Sequence, residues 1–194
     1  MNYRKVIEQG ISALNLLVSE NGETFGKAMD VLFARWGRII TTGIGKSGHV
    51  AANVASTMSS TGTPAFFVHP TDAAHGDLGC LSPGDAVLMF SRSGRAAELQ
   101  VFAEFCKNKG IPIVLVSEND RDSLANYAAV VLYMPKAEEA WGHAPTISTL
   151  MQMAIGSAAA VELAFRNGFT DEQFRETHPG GELGEKSPYR KYYG

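Results

Sequence analysis

Between residues 38 and 134 short strand-like runs, most of them almost wholly apolar, alternate with helix-length segments, and this alternation constrains the fold more than any other feature. The runs 38–42, 64–68, 85–90, 111–116 and 129–134 read as strands, because near-continuous apolarity is what a parallel sheet covered on both faces requires. Segments 48–61 and 96–108 read as helices between them, and 123–127 as a shorter helical turn. Right-handed crossovers then give an α/β fold, a three-layer α/β/α sandwich around a five-stranded parallel sheet. Two helices are expected ahead of it, over 3–19 and 23–35, separated by Asn21-Gly22. After it, 148–167 is apolar nearly all round, which predicts burial in a core or a subunit interface. A short helix over 171–177 capped by Thr170 follows, then a polar aromatic tail over 187–194.

With 194 residues and 45% hydrophobic content the chain is expected to form one domain over 1–194, comprising N-terminal helices 1–36, an α/β core 37–168 and a C-terminal segment 169–194. The net charge of −3 and the scattered 17 basic residues give no footprint for nucleic acid. No leader or membrane-spanning segment is read, so a cytoplasmic location and no membrane partner are expected. Cys80 and Cys106 lack metal-ligand spacing and read as idle thiols of a reducing compartment. No helical histidine pair supports a metal site, and no cofactor is implied.

Function is carried by two strand-to-helix turns. The first, Thr41-Thr42-Gly43-Ile44-Gly45-Lys46-Ser47-Gly48-His49, leaves backbone N–H groups converging at a helix start, with the positive end of the helix dipole behind them. Such a turn cradles a phosphate. A nucleotide P-loop would need glycine at position 40, which is Ile40. Gly43, Gly45 and Gly48 match the dinucleotide fingerprint, yet the next strand ends Phe66-Phe67-Val68-His69-Pro70 without the acid that would hold a ribose. A phosphosugar cradle, completed by a serine-rich partner loop, is the third possibility. The second turn, Ser91-Arg92-Ser93-Gly94-Arg95-Ala96-Ala97-Glu98, supplies that loop: two hydroxyls, two arginines and another helix start. An ordinary capped helix would explain it equally well in isolation, and its position after a second parallel strand favours the cradle.

These blocks resemble the sugar isomerase, or SIS, domain, and within it the arabinose-5-phosphate isomerases of the KpsF/GutQ type. The resemblance runs from about Gly43 to Gly184 and rests on Gly-Ile-Gly-Lys-Ser-Gly-His at 43–49, Ser-Thr-Gly-Thr-Pro-Ala-Phe-Phe-Val-His-Pro at 60–70 and Ala-His-Gly-Asp-Leu-Gly at 74–79. Ser93-Gly94, Ala144-Pro145-Thr146 and Thr177-His178-Pro179-Gly180-Gly181 complete it. It implies an aldose–ketose isomerase interconverting D-arabinose 5-phosphate and D-ribulose 5-phosphate, without a redox cofactor, upstream of a bacterial surface-polysaccharide precursor. Ser47, Ser91 and Ser93 are the implied phosphate ligands, and Gly45, Thr146 and Arg95 are expected to join them, Arg95 as a departure from the family pattern. Lys46, Glu98, Glu139 and His178 match catalytic positions, and His75 a further active-site histidine. Members of this type often carry regulatory CBS modules, and this chain reads as the lone-domain form.

The chemistry suits those residue types. Moving a proton between adjacent carbons through an enediolate needs a carboxylate or imidazole to take and return it, and a cation to stabilise the developing charge. Either glutamate could be the base, Glu138 competes with Glu139 for the match, and either could equally be a dipole-favoured or solvated charge. His75 and His178 could equally be exposed turn histidines, whereas His69 and His143 have no assigned role. The second turn departs from the family pattern, which tends to read Ser-Asn-Ser-Gly-Glu followed by hydroxyl residues: Arg92, Arg95 and Ala96 stand there instead. The loop from Glu139 to Gly142, holding Trp141, is also shorter. A noncatalytic phosphosugar-binding module, or an enzyme for another phosphosugar, are the alternatives. Surplus apolar surface on the two N-terminal helices and the helix over 148–167 predicts a closed homo-oligomer, and the resemblance implies a homotetramer with shared sites to which His75 and His178 could contribute.

Overall fold

The computed structural model describes residues 3–121 and 123–180. Five strands, β1 (Ile39–Gly43), β2 (Ala65–Phe67), β3 (Ala86–Phe90), β4 (Ile113–Ser117) and β5 (Val130–Tyr133), form one sheet in the order β2-β1-β3-β4-β5. All pairs are parallel, and every residue of β1, β3 and β4 is buried. The runs lack polar alternation because both sheet faces are covered, as the sequence predicts.

Alternate residues of each strand feed different cores. Leu88, Phe90, Val114, Val116 and Leu132 pack with helices α1 (Tyr3–Phe33), α2 (Lys46–Ser60) and α5 (Ile147–Arg166) on one face. Val87, Met89, Ile113 and Leu115 pack on the other with Leu99, Phe102 and Cys106 of α4 (Ala97–Lys109). A short helix, α3 (Pro70–Ala73), and 3-10 turns at Asp77–Cys80 and Ser123–Tyr127 share that second face. The sequence reading missed α3 because four residues carry no helical periodicity. The chain ends its described part in α6 (Asp171–Thr177), whose Thr170 and Gln173 form the reciprocal capping box. The tail over 187–194 lies outside the described residues.

The expected pair of N-terminal helices is instead one helix of 31 residues. Asn21 does not break it. Its buried carboxamide donates to the Leu17 carbonyl one turn back (3.3 Å) and to the Tyr133 carbonyl at the end of β5 (2.7 Å), fastening α1 to the sheet. Gly22 costs a helix interior about 1 kcal/mol, and the packing of α1 along α5 and β5 outweighs it.

Helix α5 has the length and apolarity to cross a membrane, yet 56% of its apolar window is buried inside the fold, against α2 and α1. It lies parallel to α2. Gly156, in the middle of α5, faces Val54, in the middle of α2, so closely that an added Cβ would sit 2.2 Å from a Val54 methyl. Just beyond the two C-termini, the Asn167 amide donates to the Thr63 hydroxyl (2.9 Å). The N-termini of α2 and α5 therefore lie level, at the end of the sheet where the strands finish.

Candidate active site

The first turn runs from the last residue of β1 into α2. Gly45 has φ 58°, a conformation costly for residues with a Cβ, and occupies the N-cap position. Close approach explains the other glycines: a Cβ on Gly48 would lie 2.7 Å from the Gly43 carbonyl oxygen, and one on Gly43 would lie 2.9 Å from that of Ser47. Among the described residues no side chain caps α2, so its first amides are left open at the finishing end of the sheet, beside half-buried Ser47 and exposed Lys46.

Gly43 pairs in register with Phe90, which places the second turn, residues 91–96, directly beside the first. Ser91 is buried and extends the pairing with β4 by donating its amide to Val116. The Arg92 carbonyl accepts from the Glu118 amide (3.0 Å) and from the Ser117 hydroxyl (3.3 Å). Gly94, at φ 66°, sits where a Cβ would lie 3.0 Å from Ser117 Oγ. Ser93 and Arg95 are exposed above this scaffold. Because α2 leaves β1 toward one face and α4 leaves β3 toward the other, the two turns flank the crevice where the winding reverses, the place at which sheets of this order bind ligands.

A third wall comes from Glu139, whose side chain is 1% exposed. Its Oε2 accepts from the amides of Thr146 (2.7 Å), Ile147 (2.7 Å) and Ser148 (3.3 Å) and from the Thr146 hydroxyl (3.1 Å), so the carboxylate plugs the N-terminus of α5. Its Oε1 accepts from the Ser148 hydroxyl and pairs with Arg92 Nη1 at 3.0 Å. Burial pushes this carboxyl up, but the Ser148 hydroxyl and the three helix amides outweigh it and hold Glu139 below the ordinary glutamate range. With both oxygens engaged, Glu139 acts here as an anchor. Thr146 is likewise engaged: its hydroxyl donates to Glu139 and accepts from the Ala140 amide (3.0 Å).

The sequence-derived candidates thus divide. Gly45, Lys46 and Ser47 share the first turn, and Ser91, Ser93 and Arg95 the second. Glu98 is exposed in the first turn of α4, at the end of the sheet where the strands finish. His75 is exposed just after α3, which follows the finishing end of β2 and packs on α4, so it belongs to the same end of the sheet. His178 does not. The Thr177 hydroxyl donates to the carbonyl of Ser60 (3.4 Å), the last residue of α2, so His178 sits by the C-terminus of that helix, whose two ends are about 21 Å apart at 1.5 Å per residue. There its ring stacks on Phe174 at 3.9 Å and its Nδ1 donates to the Phe174 carbonyl (2.8 Å).

Sequence reading missed the partnership of Arg92 with Glu118 and Glu139, although the arginine stands inside the second turn. A cavity of about 710 Å³ opens there, lined by Lys5, Arg92, Lys136, Glu138 and Glu139, and a second of about 700 Å³ adjoins Ser93, Arg95, Glu118 and Tyr133. Among the described residues no three His, Cys, Asp or Glu side chains gather as a metal site.

Residues 32–162 match the SIS domain. The chain is 42% identical over 176 residues to arabinose 5-phosphate isomerase KdsD of Pseudomonas aeruginosa, covering 90% of this chain and 54% of that protein. Its identity to KdsD of Yersinia pestis is 39% over 184 residues, covering 94% and 55%. It therefore spans about half the length of the curated relatives it matches. Among solved structures, an E. coli CFT073 protein in complex with arabinose 5-phosphate superposes with a TM-score of 0.87 at 31% identity, covering 91% of this chain and 95% of that one. A family profile over residues 32–162 and relatives about 40% identical over nine-tenths of the chain agree: this chain belongs to the SIS domain family.

Proposed function

We propose that this chain is an aldose–ketose isomerase of phosphosugars, with D-arabinose 5-phosphate and D-ribulose 5-phosphate as its pair. The carrying observation is the adjacency of two anion-receptive turns at the winding reversal, one of them the uncapped start of α2. Names borne by the KdsD relatives, and the arabinose 5-phosphate complex of the E. coli protein, support this choice of sugar.

In this reading the phosphate is gripped by the amides of the first turn and by Ser47, Ser91, Ser93 and Arg95, leaving the sugar carbons over the crevice. A base removes the proton on C2 of the open-chain aldose, giving an enediolate, and returns it to C1 as the ketose forms. Lys46 stabilises the enediolate oxygens. Hydrogen-bond accounting favours Glu98 as the base: every acceptor position of Glu139 is occupied in holding α5, whereas Glu98 is exposed at the start of α4. His75 moves the oxygen-bound protons or assists ring opening.

His178 is too far from its own chain's turns, so it serves a neighbouring subunit's crevice in a homotetramer. Support for association comes from α1, where Tyr3, Ile7, Ile11 and Val18 are 78%, 59%, 53% and 81% exposed along one stripe. A reducing cytoplasmic setting suits the two free thiols.

The test is incubation with ribulose 5-phosphate in deuterated water. Isomerisation with incorporation of solvent hydrogen at the reacting carbon, abolished in Glu98→Gln while phosphate still binds, is expected. Binding without exchange would replace the enzyme by a sensor of phosphosugars. Full exchange in Glu98→Gln would return the base to Glu139.

A further inference from the structure

We propose that Arg92 is a positioning residue that keeps the crevice receptive to an anion: by bridging Glu118 and Glu139 it ties the second turn to the plugged start of α5 and offsets carboxylate charge at the site. The proposal rests on the phosphosugar reading above. Arg92 Nε lies 2.9 Å from Glu118 Oε1 and Nη1 lies 3.0 Å from Glu139 Oε1. The two carboxylate side chains are only 11% and 1% exposed, so solvent screens them poorly. The arginine backbone is pinned as well, since its carbonyl takes the Glu118 amide and the Ser117 hydroxyl. Three segments meet in this one side chain: the turn after β3, the turn after β4 and the loop before α5.

Charge balance gives the bridge its purpose. Glu139 must be ionised to hold the amides of α5, and Glu118 adds a second negative charge beside the turn that would grip a phosphate dianion. Arg92 offsets one of these charges and orients both. Lys5, Lys136 and Glu138 also line the cavity, but they are exposed and therefore screened.

The test uses inorganic phosphate as the probe, titrated calorimetrically at low ionic strength. Arg92→Ala is expected to weaken phosphate binding about tenfold, since an unbalanced buried charge is costly to its surroundings. Adding Glu118→Gln to Arg92→Ala should recover at least half of that loss on a logarithmic scale. Arg92→Lys should stay within about threefold of wild type, because it keeps the charge but not the fork. Circular dichroism of each variant separates these effects from misfolding, and Arg92→Lys with Glu118→Gln carries the test if Arg92→Ala does not fold. Unchanged binding in Arg92→Ala overturns the proposal. So does a loss that Glu118→Gln fails to relieve, which would make Arg92 a direct phosphate ligand. Failure of the isomerase reading is seen separately, as wild-type protein that binds phosphate but exchanges no hydrogen on any phosphosugar. Wild-type protein that binds no phosphate sinks both.

Discussion

Replacing Glu139 by Gln should destabilise the fold far more than a typical surface exchange, and in a pH-dependent way. Six donors converge on this carboxylate: three backbone amides, two hydroxyls and the Arg92 guanidinium. A carboxamide is nearly isosteric but offers one acceptor oxygen, so its NH2 must face either the helix amides or Ser148 and Arg92. Loss of a helix cap alone costs about 1 kcal/mol. Breaking one side of a buried charge pair costs about 3–5 kcal/mol. Because the same atoms serve both roles the two do not add, and a loss of about 3 kcal/mol near neutral pH is expected. The sign with pH follows from the direction of the shift. A folded-state carboxyl held below its ordinary range contributes stability above the unfolded value and loses it as pH falls through the lower, folded value. The deficit of Glu139→Gln should therefore be largest near neutrality and shrink in acid. Urea denaturation of wild type and variant across that range is the assay. A variant within about 0.5 kcal/mol of wild type near pH 7, the spread of ordinary surface substitutions, would refute the anchoring role, and so would a deficit independent of pH.

Three further outcomes follow from the geometry. Gly156→Ala should destabilise by about 1–2 kcal/mol in denaturant titrations, because the added Cβ meets Val54 at 2.2 Å and the roughly 1 kcal/mol of helix propensity it gains does not compensate. Arg95→Ala should raise the Michaelis constant for the phosphosugar; unchanged Michaelis constant and turnover would remove Arg95 from the site. The Cys106 thiol, pushed up to about 12 by burial, stays protonated across the neutral range, so iodoacetamide should label native protein at Cys80 and spare Cys106 until it unfolds.

The parts of this molecule that were legible in sequence are those decided by neighbours along the chain. The central strands announced themselves because two covered faces leave no polar alternation, and α6 because Thr170 and Gln173 sit three residues apart and cap locally. The glycine turn was readable for the same reason: Gly43, Gly45 and Gly48 are spaced for one tight bend. What failed was decided by tertiary contacts. Asn21-Gly22 carries every local mark of a break, yet the Asn21 amide donates to a β5 carbonyl 112 residues away and the helix runs on. Glu139 lies seven residues ahead of the first amide it caps, outside any capping-box spacing, so its anchoring role was invisible. Arg92 finds Glu118 and Glu139 only because β3, β4 and the start of α5 finish together at one end of the sheet.

That shared end also explains why one helix start is available to a ligand and its neighbour is not. Helices α2 and α5 run side by side with level N-termini, and each start carries a positive dipole end. At α5 the dipole is taken up by an internal carboxylate, which fixes the loop over residues 135–146. At α2 the glycines keep the backbone bare and the amides open. An internal anion beside an open anion site carries an electrostatic cost: about 2 kcal/mol for each pair of unit charges at some 8 Å and an effective dielectric of about 20. On the reading proposed here, that cost is what Arg92 counters. A neutral residue at position 92 is then compatible with tight phosphate binding only if position 118 is neutral too, so exchanging both together should bind phosphate better than exchanging Arg92 alone.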